Sequence, residues 1–143
     1  MDERTRLRRL QLVSCLREVE HREAAGRLHA EMGRESHARL VADRTTGLLE
    51  HYQARRDARD ALELGLQQVM AQGTRQMHRS ARDHLSELSR QTEVVMQQEQ
   101  AARRRRDRTQ EMADKAARQL ADAEHTADSV QQRTGTILDH ERS

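Results

Sequence analysis

Beginning at Ala81 and stepping by seven, the chain presents Ala81, Leu88, Val95, Ala102, Thr109, Ala116, Ala123, Val130 and Ile137, none of them charged. Asp, Glu, Lys and Arg make up 35% of the sequence, so nine uncharged positions at a fixed spacing have a chance probability of roughly 0.65 to the ninth power, about 2%. A companion line lies four residues on: Leu85, Thr92, Glu99, Arg106, Ala113, Leu120, Ala127 and Thr134, apolar at both ends and polar in the middle. Lines alternating at four and three residues trace the seam of a coiled coil. A seven-residue repeat held this long implies a left-handed supercoil.

Composition narrows the choice further. The only aromatic residue is Tyr52, and there is no proline. Sheets favour aromatic and β-branched side chains, and aromatics supply much of a globular core's area. Sandwiches, barrels and doubly wound enzyme domains are therefore excluded, and an all-α fold is expected. No apolar run approaches the ~20 residues that cross a bilayer. The mixed-charge opening Met1-Asp2-Glu3-Arg4 predicts no secretory leader. Richness in Ala, Leu, Glu, Arg and Gln, all good helix formers, argues against disorder. With 26 basic against 24 acidic residues the net charge is only +2, and solvated helix faces are the default for such balanced charge.

The first half is less regular. Leu7, Leu10, Leu12, Val13, Cys15, Leu16 and Val19 form a broad apolar sector, and Leu28 and Met32 continue a stripe. A seven-residue line then runs Val41, Leu48, Arg55, Leu62 and Val69, with Tyr52 and Leu66 beside it. A register shift is expected between Val19 and Val41. Gly73-Thr74 is the strongest break near the midpoint, since Gly closes helices and Thr caps them. Asp43 to Gly47 is a weaker one, and Thr134-Gly135-Thr136 predicts C-terminal fraying. The architecture expected is a single long antiparallel two-helix coiled-coil hairpin over residues 1–143. Helix one runs over about 3–71, the bend falls near 72–74 and helix two covers about 74–139, each arm about 100 Å long at ~1.5 Å per residue. Facing residues then have numbers summing to about 147, at one residue per step along each antiparallel arm. Leu12, Leu16 and Val19 meet Thr134, Val130 and Ala127; Leu62 and Leu66 meet Leu85 and Ala81; Thr45, Thr46 and Gly47 meet Gln100, Ala101 and Ala102. Cys15 is expected to be a small core residue.

Little in the sequence signals chemistry. The eight histidines include no pair three or four residues apart, so no helical metal site is expected and the histidines read as solvated. The six glycines are scattered and form no phosphate loop. Catalytic carboxylates need a cleft that a two-helix rod lacks. The expectation is a non-enzyme with no cofactor and no metal. Arg103-Arg104-Arg105-Arg106 with Arg108 points around the helix as a collar, and Arg4, Arg6, Arg8 and Arg9 form a second basic cluster. Without stacking aromatics and with near-zero net charge, nucleic acid is not the expected partner. Tyr52 reads first as a seam residue beside Leu48, and Met70 and Met77 as packing at the tip.

The opening stretch Leu7-Arg8-Arg9-Leu10-Gln11-Leu12-Val13, followed by Cys15-Leu16-Arg17-Glu18-Val19-Glu20 and Ala24-Ala25, resembles the start of the FliJ/YscO family of type III export proteins. Leu49-Glu50-His51-Tyr52-Gln53 is similar to a Leu-x-x-Tyr-Gln segment of its flagellar members. The length and two-arm organisation are similar over the whole chain. The resemblance implies a stalk like the rotor shaft of rotary ATPases, in the bacterial cytoplasm and peripheral to the inner-membrane export apparatus. The end bearing both termini, with Arg4, Arg6, Arg8 and Arg9, would enter the pore of a hexameric export ATPase. The rod would also contact the cytoplasmic domain of the export gate, and secretion chaperones, without entering the membrane. Gate contact in the family is associated with positions matched here by Leu49, Tyr52, Met77 and Ala81. Met77 stands where members often carry an aromatic, and Ala81 where a larger apolar residue is usual. The family's basic C-terminal segment is missing, and the resemblance does not separate flagellar from virulence branches. The rival readings are a cytosolic scaffold whose hairpins dimerise into a four-helix bundle, and a nucleic-acid binder acting through Arg103 to Arg106.

Overall fold

The computed structural model describes residues 2–55 and 57–142. It contains two helices, α1 (Glu3–Ala54) and α2 (Ala61–Arg142), and no strand among the described residues. The fold is an all-α antiparallel helical hairpin, as the periodicity predicts. The facing partners fix the direction: Glu35 meets Ser89, Thr46 meets His78 and Ser14 meets Gln110. Residue i of α1 thus faces roughly residue 124 − i of α2, as one residue per step along two antiparallel helices requires.

Burial follows one heptad frame in each helix. In α1 the protected positions run Leu7, Leu10, Ser14, Arg17, His21, Ala24, Leu28, Glu31, Glu35, Ala38, Ala42, Thr45, Leu49 and Tyr52. In α2 they run Ala71, Thr74, His78, Ala81, Leu85, Leu88, Thr92, Val95, Glu99, Ala102, Arg106, Thr109, Ala113, Ala116 and Leu120. Each set steps by alternating threes and fours, the pattern that keeps one face of a helix on its partner. The two lines expected through Ala81 and Leu85 are the α2 seam as far as Leu120. The most deeply covered part of the seam is built from small side chains: Ala24, Ala38, Ala42, Ala71, Ala102 and Ala113 are buried. Leu88 is the one large apolar residue buried with them among the described residues, the other leucines of the seam being half-buried. Thr45, Thr74 and Thr92 are buried beside them. Thr74 and Thr92 return their hydroxyl protons to the carbonyls of Met70 and Leu88, four residues back, and Thr45 to that of Ala42, three back. Small residues let two helices approach at the short end of the usual ~8–10 Å axial separation.

The chain falls into two compact units, and both helices contribute to each. The first comprises Met1–Glu23 and Gln100–Ser143. Here Arg4 reaches Glu124 at 2.8 Å and Ser14 donates to Gln110 at 2.8 Å. Beyond Glu124, α2 continues to Arg142 with every described residue exposed except a half-buried Ser129. The second unit, Ala24–Glu99, contains the connector and the largest share of the alanine seam.

Several boundaries and pairings differ from expectation. α1 ends at Ala54 and α2 begins at Ala61, and Gly73-Thr74 lies inside α2. Gly73 costs only about 1 kcal/mol within a helix, and no described glycine takes the left-handed conformation that would end one. What starts α2 is a capping box. The Asp60 carboxylate accepts from the Glu63 amide at 2.8 Å, and the Glu63 carboxylate accepts from the Arg59 amide at 2.7 Å. Moving the turn moves every partner. Leu12, Leu16 and Val19 are exposed instead of facing Thr134, Val130 and Ala127, and Val13 and Cys15 beside them are exposed too. Leu62 and Leu66 are exposed instead of facing Leu85 and Ala81, and Thr45 and Thr46 meet His78 instead of residues near 100. The line Val41, Leu48, Arg55, Leu62, Val69 is not the seam, and α1 needs no register shift. Residues 43–47 and 134–136 are helical throughout.

Candidate interaction surfaces

The polar members of the seam are held by specific bonds. Arg106 is drawn out of its arginine run toward α1. Its Nη1 lies 3.0 Å from His21 Nδ1, its Nε 3.8 Å from Glu18, and its Nη2 2.9 Å from Asp107. A guanidinium only donates, so His21 Nδ1 accepts. At His78 the roles reverse. Thr45 and Thr46 both give their hydroxyl protons to the Ala42 carbonyl, so His78 Nδ1, 3.1 Å and 3.4 Å away, is the donor to them. These two histidines are therefore half-buried seam residues and not solvated as expected; His29, His37, His51, His84, His125 and His140 are exposed. Arg103, Arg104, Arg105 and Arg108 remain exposed around the same stretch of α2. Glu31 accepts from Arg34 through one oxygen, and its other oxygen is buried without a partner. No group of three or more metal-ligating side chains occurs among the described residues.

The N-terminal basic cluster lies on α1 in the first unit. Arg4, Arg6, Arg8 and Arg9 are all exposed. The Glu124 carboxylate, hydrogen-bonded to Arg4, raises that guanidinium further above its ordinary range. Just beyond the cluster, Leu12, Cys15, Leu16 and Val19 occupy one face at spacings of three and four residues. Leu12 is 67% exposed. Exposed Cys15 is thus not the core residue that its neighbours suggest.

A second surface belongs to the other unit. Leu49 and Tyr52 are half-buried seam residues. Met77 is exposed, and with half-buried Ala81 it lines a groove of about 430 Å³ shared with Val41, Thr45, Gly73, Gln76 and Ser80. Tyr52 lines a different hollow of about 410 Å³ beside the connector, with Arg55, Asp57, Leu66, Gln67 and Met70 among its walls. The Tyr52 ring sits edge-on to His51 at 5.5 Å. Asp57 accepts from Arg55 at 2.9 Å and from Gln67 at 3.1 Å. The bond from Arg55 is the main reason its carboxyl lies below the usual carboxylate range, and Gln67 adds to it. The four candidate gate positions therefore divide into Met77 with Ala81 in one groove and Tyr52 in the connector hollow, while Leu49 lines neither.

No family model, no curated protein and no solved structure matches this chain significantly. No helix among the described residues is long and apolar enough to cross a membrane. Sequence reasoning missed the apolar face of the first turns of α2, where Leu62, Leu64, Leu66, Val69 and Met70 are all exposed. The Asp-x-x-Glu signature at Asp60 and Glu63 would have found it, by placing the turn before these residues and not after them.

Proposed function

We propose that this chain is a non-enzymatic coiled-coil stalk of a type III protein export apparatus, flagellar or virulence. It binds the hexameric export ATPase through the arginine-bearing end of α1 and the cytoplasmic gate through the second unit. The observation that carries the reading is the surface of the first unit. Leu12, Val13, Leu16 and Val19 stand exposed directly after Arg4, Arg6, Arg8 and Arg9. Apolar side chains next to a cationic cluster suit a partner with an apolar groove edged by carboxylates, since charge steers the encounter and apolar burial holds the complex. Met77 and Ala81 are the gate contacts favoured by the groove they share, and Tyr52 acts from the connector side.

The mechanism is mechanical and electrostatic. A stiff helical pair inside a ring touches the ring's subunits unequally, and those contacts bias ring assembly or turnover. The test is co-purification with a hexameric type III export ATPase from the same source, followed by a hydrolysis assay. Wild-type protein is expected to bind and change turnover, and Arg6→Glu/Arg8→Glu to weaken both. Absence of binding together with an unchanged hydrolysis rate would remove the reading.

A further inference from the structure

From Leu64 to Thr74 the chain reads Leu-Gly-Leu-Gln-Gln-Val-Met-Ala-Gln-Gly-Thr, eleven residues without a charge, between Glu63 and Arg75. In a chain that is 35% charged, solvated helix faces carry charges every few residues. Depletion of charge is instead the mark of an interface core. The seam does not account for it: of these eleven, only Ala71 and Thr74 are buried.

Part of the remainder lies on one outward face of α2, while Gly65 and Gln67 are half-buried and Gln67 donates to Asp57. Leu62, Leu66, Val69, Met70, Gly73 and Met77 follow one another at spacings of three and four, counting Val69 and Met70 as adjacent alternatives at the middle step. Leu62 is 75% exposed and Val69 66%, and Leu66, Met70 and Met77 are exposed beside them. Gly73 sits on this face although a methyl group there would meet nothing within 4 Å inside the chain. Helical glycine is disfavoured by about 1 kcal/mol, and internal packing gives no reason for it.

The face matches its own reverse. Laid antiparallel on itself about a twofold between Val69 and Met70, Leu62 falls opposite Met77, and Leu66 opposite Gly73, where the absent side chain leaves room for it. Val69 falls opposite Met70. A twofold interface requires this kind of self-complementary surface. Charge does not oppose the pairing across its centre, because Leu64–Thr74 carries none; Glu63 and Arg75 bound that stretch, and charges of both signs, Arg55, Asp57, Arg59 and Glu63, rim the hollow beside Leu66 and Met70. The apolar face of α1 in the first unit is different: Arg8, Arg9 and Arg22 lie near it, and two copies would bring like charges together. Area is sufficient. The five large side chains offer on the order of 100 Å² each by the free energy of burying such groups. A symmetric pair therefore removes about 1,000 Å², the threshold for a specific interface.

We infer that α2 residues 62–77 form a homotypic docking face, occupied by the same face of a second copy of this chain. The inference is independent of the export reading, since it uses no export partner. Met77 lies on both surfaces, so gate contact and self-pairing compete where both occur.

Sedimentation equilibrium of the full chain tests the inference. The wild type is expected to move from 16.6 kDa toward twice that mass with rising concentration. Leu66→Arg is expected to weaken association at least roughly tenfold, as truncation of a central interface anchor does, with unchanged helical circular dichroism. Leu16→Arg leaves association unchanged. Cross-linking gives a readout that does not rest on these variants. Cys15→Ser/Val69→Cys is expected to form a disulfide-linked dimer on mild oxidation, while the wild type, with Cys15 alone, associates without forming a covalent dimer. A wild type monomeric at millimolar concentration would overturn the inference. So would a dimer weakened by Leu16→Arg and not by Leu66→Arg, or cross-linking through Cys15 and not through Val69→Cys.

Discussion

At the scale of single residues, the seam is held as much by polar bookkeeping as by apolar contact, and this gives two predictions. The second Glu31 oxygen is buried with no donor, and an unmet buried acceptor costs about 1–3 kcal/mol. Glu31→Leu is expected to stabilise the protein by about 1–2 kcal/mol, since the Arg34 it releases is surface-exposed. Chemical denaturation at neutral pH checks it, and a loss of stability would mean the oxygen is satisfied. His21 and Arg106 form a polar layer of a second kind, in which each side chain has partners. Replacing both with leucine is expected to be neutral or stabilising by about 1–3 kcal/mol, as with other half-buried polar layers. Arg106→Ala alone is expected to destabilise, because His21 loses its donor. None of these partners was legible in sequence. Histidines eight residues apart look alike in a string, and only the register of the opposite helix draws His21 into the seam and leaves His29 and His37 outside. Cys15 misled for the same reason: Val13, Leu16 and Val19 do surround it, on the face that α2 does not cover.

At the scale of elements, the position of the turn decides everything else. A local cap outweighs a glycine that merely permits a break, since Asp60 satisfies the Glu63 amide that a helix start otherwise leaves bare and Glu63 ties back the Arg59 amide just before the helix. Asp60→Ala is expected to cost about 1 kcal/mol, read as a lower midpoint in urea. The connector also has a pH dependence of definite sign. Asp57 titrates below its ordinary range when folded. The order its carboxylate gives the connector is therefore complete above the unfolded value of ~3.9 and lost as pH falls through the lower folded value. Between pH 5 and 8 it is constant, and Asp57→Asn removes the acid-side change in connector proteolysis. Within α1, Gly26, Gly33 and Gly47 are helical with nothing within 4 Å of an added methyl group. Changing all three to alanine is expected to stabilise by about 2–3 kcal/mol in sum, at ~0.8–1 kcal/mol per site. Thermal melts check this, and no gain would show that these positions are covered in solution. The α2 seam was legible from Ala81 to Leu120 because its uncharged line is long. Its first members Ala71, Thr74 and His78 were hidden by the misplaced turn, and the line beyond Leu120 has no partner helix to cover it among the described residues. The α1 seam was not, because Ser14, Arg17, His21, Glu31 and Glu35 lie on it while Leu12, Leu16, Leu40 and Leu48 lie off it.

At the scale of the whole molecule, one heptad frame per helix suffices to specify a hairpin from a nearly aromatic-free sequence. Of the two frames, only that of α2 from Ala81 to Leu120 was read correctly at the start. Such a frame specifies the partner helix without supplying much energy. No large side chain among the described residues is fully buried, and the buried apolar set is alanine plus Leu88. At ~0.8 kcal/mol per buried methyl-sized group, such a seam barely exceeds the entropy of ordering it. The melting temperature is therefore expected to rise with protein concentration, because association adds what the seam lacks. Scanning calorimetry over a hundredfold range of concentration measures it, and an invariant midpoint would mean that the isolated hairpin is self-sufficient. The stretch of α2 beyond Glu124 behaves differently. A lone segment of under twenty residues is marginal as a helix in water, so its turns persist chiefly because they grow from a helix that is already formed. Deuterium uptake should accordingly run as a gradient: backbone amides near Arg142 exchange within the first time points, and those flanking Ala102 only after the hairpin itself opens.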